Sequence, residues 1–129
     1  MNQGRQMNYA FARSQYNKSR NAGLSSLNDP HEMITLTLKE LTRSIKLLQT
    51  PGLAADKRQS NFSKSFTAVY ILQTSLDFDK GGEIAENLFK VYEYCRAQLQ
   101  KAFKNDVSAK LSECTNVLDD IIDAWEKIK

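Results

Sequence analysis

Leu76-Asp77-Phe78-Asp79-Lys80-Gly81-Gly82-Glu83-Ile84-Ala85-Glu86-Asn87-Leu88, followed by Val91-Tyr92-Glu93-Tyr94, is the stretch on which the fold turns. It compresses a helix end, a Gly-Gly break and a new helix start into a few residues. Beyond the break, apolar positions return at steps of three and four. The pattern describes a corner between helices and holds nothing catalytic.

Helices extend on both sides of that corner. Upstream, Asp29-Pro30-His31-Glu32 offers an N-cap Asp, a Pro at the first helical position and a Glu three residues after the cap. Ile34, Leu38, Leu41, Ile45 and Leu48 then share one stripe, and Thr50-Pro51-Gly52 stops the helix. Phe62, Phe66, Val69, Leu72 and Leu76 form the stripe of a second helix, with Tyr70 and Ile71 beside it. Its start is open, because Ala54 to Asn61 is polar and reads equally as loop or first turn. Helix three carries Ile84, Leu88, Val91, Cys95 and Ala102 inward. Asn105-Asp106 breaks it, and Asp106 is placed to cap helix four, whose stripe is Val107, Leu111, Cys114, Leu118, Ile121, Trp125 and Ile128.

The last two helices can be matched layer against layer. In an antiparallel hairpin folding between Lys104 and Asn105, Ile84 faces Trp125, Leu88 faces Ile121, Val91 faces Leu118, Cys95 faces Cys114 and Ala102 faces Val107. Every layer is apolar on both sides, which predicts a packed αα-hairpin. With short connections throughout, the expected fold is all-α: an antiparallel up-down four-helix bundle over residues 29–129. Residues 1–28 form a flexible or short-helical arm.

Composition narrows the function classes. A chain of 129 residues, 41% hydrophobic and 26% charged, is one domain with one modest core. It has no apolar run of membrane-spanning length, and its first twenty residues resemble no secretory signal, so a cytoplasmic protein without membrane insertion is expected. The net charge of +3 is unevenly placed: Arg5, Arg13, Lys18 and Arg20 give the acid-free arm +4 and leave the body at −1. Four scattered charges make a poor nucleic-acid surface, and no nucleic acid is expected as a partner.

Chemistry is sparse. Cys95 and Cys114 fall in one core layer and read as small buried apolar groups; packed helix axes stand roughly 8–10 Å apart, too far for the Cα spacing of a disulfide. His31, the only histidine, reads as an exposed residue of the first turn. No Cys-x-x-Cys or Glu-x-x-His pair supports a metal, Gly81-Gly82 lacks the spacing of a phosphate loop, and no nucleophile stands beside a base. Asp119, Asp123 and Glu126 lie away from the apolar stripe and read as a solvated face. Neither an enzyme nor a cofactor is expected.

Apolar surface, by contrast, is in excess. Ala85, Phe89, Tyr92, Leu99 and Phe103 make a second stripe on helix three, interrupted by Arg96. Either this stripe completes packing against helix two, or it lines an open groove for an amphipathic or extended segment of a partner. The candidate binding residues are Phe62, Phe66 and Tyr70 with Phe89, Tyr92, Leu99 and Phe103.

From Tyr16 to Trp125 the chain resembles the FliS family of flagellin-specific export chaperones. The resemblance is carried by the Leu-Asp, Gly-Gly-Glu-Ile, Asn-Leu and Tyr-acid-Tyr series quoted above. It continues in Pro30-His31 with Met33-Ile34, in Asn105-Asp106 and in Asp123-Ala124-Trp125. It implies a cytoplasmic helical bundle that binds the C-terminal segment of flagellin, prevents premature polymerisation and meets a component of the flagellar export gate, as a monomer or homodimer. It also implies that the arm caps the unloaded groove, with Tyr16 at the matching distance and Tyr9 and Phe11 assisting. Glu40-Leu41, Thr37 and Phe103 depart from the family pattern. The competing expectation is a helical adaptor or regulatory protein unrelated to flagella.

Overall fold

The computed structural model describes residues 29–128. These form four helices: α1 (Pro30–Leu48), α2 (Ala55–Thr74), α3 (Phe78–Phe103) and α4 (Leu111–Lys127). Contacts run α1–α2, α2–α3, α3–α4 and α4–α1, with none across either diagonal, so the helices close into a four-membered ring. This is the expected four-helix bundle. Leu38, Leu41 and Ile45 of α1 meet Phe62, Ala68, Val69 and Leu72 of α2, Tyr92, Cys95 and Leu99 of α3, and Cys114 and Leu118 of α4 in a single core. None of these described helices is long and apolar enough to cross a membrane.

Helix α1 starts as its sequence dictates: Asp29 accepts from the His31 N–H at 2.9 Å and Pro30 occupies the first turn. Its buried threonines return their hydroxyls to the preceding turn, Thr37 to the Met33 carbonyl and Thr42 to that of Leu38, both at 2.8 Å. Polar side chains are thereby tolerated in the core. Helix α2 includes the whole polar stretch from Ala55. Ala54 gives it no side-chain cap, but Arg58 anchors the first turn from outside. Its Nη2 donates to the Ala102 carbonyl at 2.8 Å and to Asn105 Oδ1 at 3.0 Å, and its guanidinium lies 4.7 Å from the Phe62 ring centroid.

Three local expectations change. The corner falls at Ser75–Asp77 rather than at the glycines: Asp77 caps α3 by accepting from the Lys80 N–H at 3.0 Å. The helix makes one turn and then breaks at Gly82, whose φ of 49° and ψ of −123° suit only glycine. Helix α4 begins at Leu111, not after Asp106. Asn105, at φ 61°, ends α3 with paired bonds from Asn105 N to the Ala102 carbonyl and from Asp106 N to that of Lys101. Asp106 then turns back on Ser108, accepting from both its N–H and its hydroxyl, which hold the carboxyl below its usual range. Val107 is left fully exposed at this turn.

The third change is the rotation of α3. Its inward face is Ala85, Leu88, Tyr92, Cys95, Leu99 and Ala102, at alternating steps of three and four, whereas Ile84 is 71% exposed. The α3–α4 match accordingly holds in its middle and fails at its ends. Cys95 and Cys114 are free and fully buried, and the neighbouring Cys114 thiol together with burial pushes the Cys95 thiol up. Beside them Lys110 N donates to Gln98 Oε1 at 2.8 Å and Tyr94 donates to Glu113 at 2.5 Å, which pushes its phenol up to about 12. Ile84 and Val107 take no part, and Trp125 packs elsewhere.

Candidate functional site

Phase decides which apolar residues of α3 remain available. Because the helix turns Tyr92 and Leu99 inward, both are core residues, 3% and 0% exposed, and burial pushes the Tyr92 phenol upward. Phe62 of α2 is likewise core at 3%. These three of the seven candidate residues cannot form an open wall. The remaining four can: Phe89 and Phe103 are exposed at 38% and 53%, and Phe66 and Tyr70 are half-buried on the facing helix.

The rings form two clusters along the α2–α3 seam. At one end Phe103 stands edge-on to Phe62 at 5.3 Å and to Phe66 at 6.5 Å. Edge-to-face geometry suits the ring quadrupoles and fixes Phe103 with half its surface still outside. At the other end Phe78, on the turn before the Gly82 break, tilts against Phe89 at 6.1 Å. Phe78 is 47% exposed and was not among the sequence candidates. Its place on the seam depends on the backbone course at Gly82, which no helical period encodes.

Between the clusters lies an open groove of about 540 Å³ lined by Phe66, Tyr70, Gln73, Thr74, Phe89, Glu93 and Arg96. Glu93 is its polar centre. It accepts from Gln73 across the seam at 2.8 Å and from Arg96 one turn along α3. The Arg96 hydrogen bonds, helped by Gln73, pull the Glu93 carboxyl down to about 2. A fixed negative charge in an aromatic groove suits orientation of a bound segment.

The opposite seam, between α4 and α1, is interlocked. His31 and Trp125 stack with centroids 4.5 Å apart and planes 6° from parallel. Trp125 Nε1 donates to the His31 carbonyl at 3.1 Å, and His31 Nε2 lies 2.8 Å from the Trp125 carbonyl. His31 is therefore half-buried, not the exposed turn residue its position suggested. Lys39–Glu126 at 2.9 Å and Lys46–Asp119 at 3.4 Å bridge the seam further along, so the acidic face of α4 is partly engaged by lysines. No group of three or more His, Cys, Asp or Glu able to hold a metal occurs among the described residues. Tyr9, Phe11 and Tyr16 lie outside them.

The family model for flagellar protein FliS matches residues 12–129. A flagellar secretion chaperone FliSB of Pseudomonas aeruginosa is 30% identical over 105 residues, covering 78% of this chain and 81% of that protein. The flagellar secretion chaperone FliS of Salmonella typhimurium is 43% identical over 58 residues, which are 44% of this chain and 42% of the relative. No solved structure matches the chain significantly.

Proposed function

The chain belongs to the FliS family, and from that premise we propose that it is a cytoplasmic flagellar export chaperone. It binds the C-terminal segment of flagellin, prevents premature polymerisation, and helps deliver the subunit to the flagellar type III secretion apparatus through a component of the export gate. The groove is the α2–α3 seam. On this reading the protein works by covering surface and performs no chemistry.

One observation carries the reading: Phe66, Tyr70 and Phe89 line the α2–α3 groove, Phe78 packs against Phe89 and Phe103 against Phe66, and Phe78, Phe89 and Phe103 keep 47%, 38% and 53% of their surfaces exposed. Covering a large apolar side chain completely contributes about 1.5–3 kcal/mol, so the uncovered halves of three rings offer roughly 3 kcal/mol. Folding a disordered client on binding costs about 2–5 kcal/mol. The seam can therefore offset the ordering of a client segment, while net affinity requires further wrapped surface. The supporting arrangement is a client helix laid across both aromatic clusters, with Glu93 fixing its register.

Residues 1–28 are a removable cap in this proposal, with Tyr9, Phe11 and Tyr16 on the unloaded groove, and residues 29–129 are the chaperone domain. Removal of the cap should raise binding of an apolar dye and tighten client binding; no change in either would count against it. The function itself is tested by co-purification with flagellin. Full-length flagellin should be retained and flagellin lacking its C-terminal segment lost, whereas equal retention of both would refute the proposed mode.

A further inference from the structure

The α2–α3 seam is electrically polarised along its length. At its Phe78–Phe89 end, residues 75–86 carry Asp77, Asp79, Glu83 and Glu86 against Lys80, a net −3. At its Phe103 end, residues 55–58 and 100–106 carry Lys57, Arg58, Lys101 and Lys104 against Asp56 and Asp106, a net +2. The centre repeats the order, since Glu93 lies on the acidic side of Arg96. Glu86, Phe89, Glu93, Arg96, Gln100 and Phe103 follow one another at steps of three and four and so share the seam side of α3. Helix stabilisation accounts for α3, where acids at the start and bases at the end suit the dipole. It does not account for α2, whose first turn holds Lys57 and Arg58 beside Asp56 and whose last turn holds no base.

The rings of the seam cannot choose a direction. Apolar burial is non-directional, so an amphipathic helix turned end for end would still cover Phe89 and Phe103. Charge separates the two arrangements. Phe89 and Phe103 are 14 residues apart, about 21 Å along α3, against a screening length of about 10 Å at 0.1 M salt. Each end of a bound helix therefore feels mainly the patch beside it.

We propose that the seam fixes the direction of its client: the flagellin helix lies parallel to α3, with its amino-terminal end over Phe78 and Phe89 and its carboxy-terminal end over Phe103. This direction, which rests on the α2–α3 seam being the flagellin site, also states the chemistry of the client. It is an amphipathic helix of about 15 residues with large apolar groups near both ends, and its amino-terminal half is the more basic. Glu86 and Glu93 face that half, whereas Arg58 and Lys104 face the other. The client's own dipole, positive at its amino end, acts in the same sense. A segment that closes a chain also ends in an α-carboxylate, which this direction places towards the basic end of the seam.

Paramagnetic broadening in NMR spectra of the full chain tests the direction, with a flagellin C-terminal peptide carrying a nitroxide at one end or at the other. The amino-terminal label should broaden amides around Phe78 and Phe89, and the carboxy-terminal label those around Arg58 and Phe103. The reverse pattern, or the same pattern from both labels, overturns the direction and leaves the seam as the client site. Broadening at neither end by a bound peptide would remove the client from the seam, and the direction with it. The charge swap Glu86→Lys with Lys104→Glu reverses the polarity without altering net charge, and both positions are exposed. It should weaken peptide binding at least about threefold with thermal unfolding unchanged, and full affinity in the folded variant overturns the proposal. Phe103→Ser weakens binding whichever way the client lies, so its effect tests the seam separately from the direction.

Discussion

The α1–α4 seam and the α2–α3 seam are each made by two amphipathic helices, yet one is locked and the other stands ajar. Along α1–α4, small and reciprocal contacts do the closing: a stacked His31–Trp125 pair bonded in both directions, then two lysine–carboxylate rungs. Along α2–α3, Phe66, Phe89 and Phe103 stand at the helix margins, where a ring is too bulky to be swallowed by a two-helix contact. Arg58 and Gln73 hold that seam by polar contacts and leave the rings half outside. Amphipathicity brings helices together; the residues at the stripe's margin decide whether a seam becomes structure or surface.

Substitutions divide the two roles. Leu99→Ala, at a fully buried position of α3, should cost about 2–5 kcal/mol in urea unfolding. Phe103→Ala, four residues along the same helix and half exposed, should cost only about 1 kcal/mol and instead weaken flagellin binding. If the two variants were equally destabilising, the division between core and surface on α3 would be wrong. On the locked seam, Trp125→Ala removes a stacked ring and the indole Nε1 hydrogen bond to the His31 carbonyl, and should lower stability by about 2–4 kcal/mol while client binding to the folded protein persists.

Backbone and charge have smaller effects. Gly82→Ala places a methyl group in open space but at a φ of 49°, so strain alone should cost about 1–2 kcal/mol. A shift of Phe78 off Phe89 should accompany it, visible in aromatic NMR shifts. The pH effect of Glu93 is the smallest. Its folded pKa of about 2 lies below its ordinary value of 4.5, so its contribution is complete above pH 4.5 and is lost as pH falls from there through about 2. The side chain is 42% exposed, and solvent screening keeps the effect below about 1 kcal/mol. Glu93→Gln should flatten the acid limb of the stability curve by that amount and no more.

How much of this could be read from residues varied with the range of the interaction involved. The start of α1 was legible because its cap, its Pro and its stripe are contiguous. The bundle was legible because four stripes with short links leave few other ways to bury them. The phase of α3 was misjudged: Ile84 and Val91 look more core-like than Ala85 and Tyr92, although the series 85, 88, 92, 95, 99 and 102 keeps the cleaner period. That error placed Tyr92 and Leu99 in the candidate groove, whereas Phe78 was missed because its position depends on the backbone course at Gly82. The first turn of α2 depends on Arg58 reaching residues 44 and 47 positions away, and His31 is held by a tryptophan 94 positions away. No local pattern announces either contact.

The most direct test of the open seam as the client site is calorimetric titration of a flagellin C-terminal peptide into the wild-type protein and into the Phe89→Ser, Phe103→Ser double variant. The folded double variant should bind at least about tenfold more weakly, a loss of roughly 1.4 kcal/mol or more. Equal affinity for the two proteins would mean that flagellin binds elsewhere on the bundle.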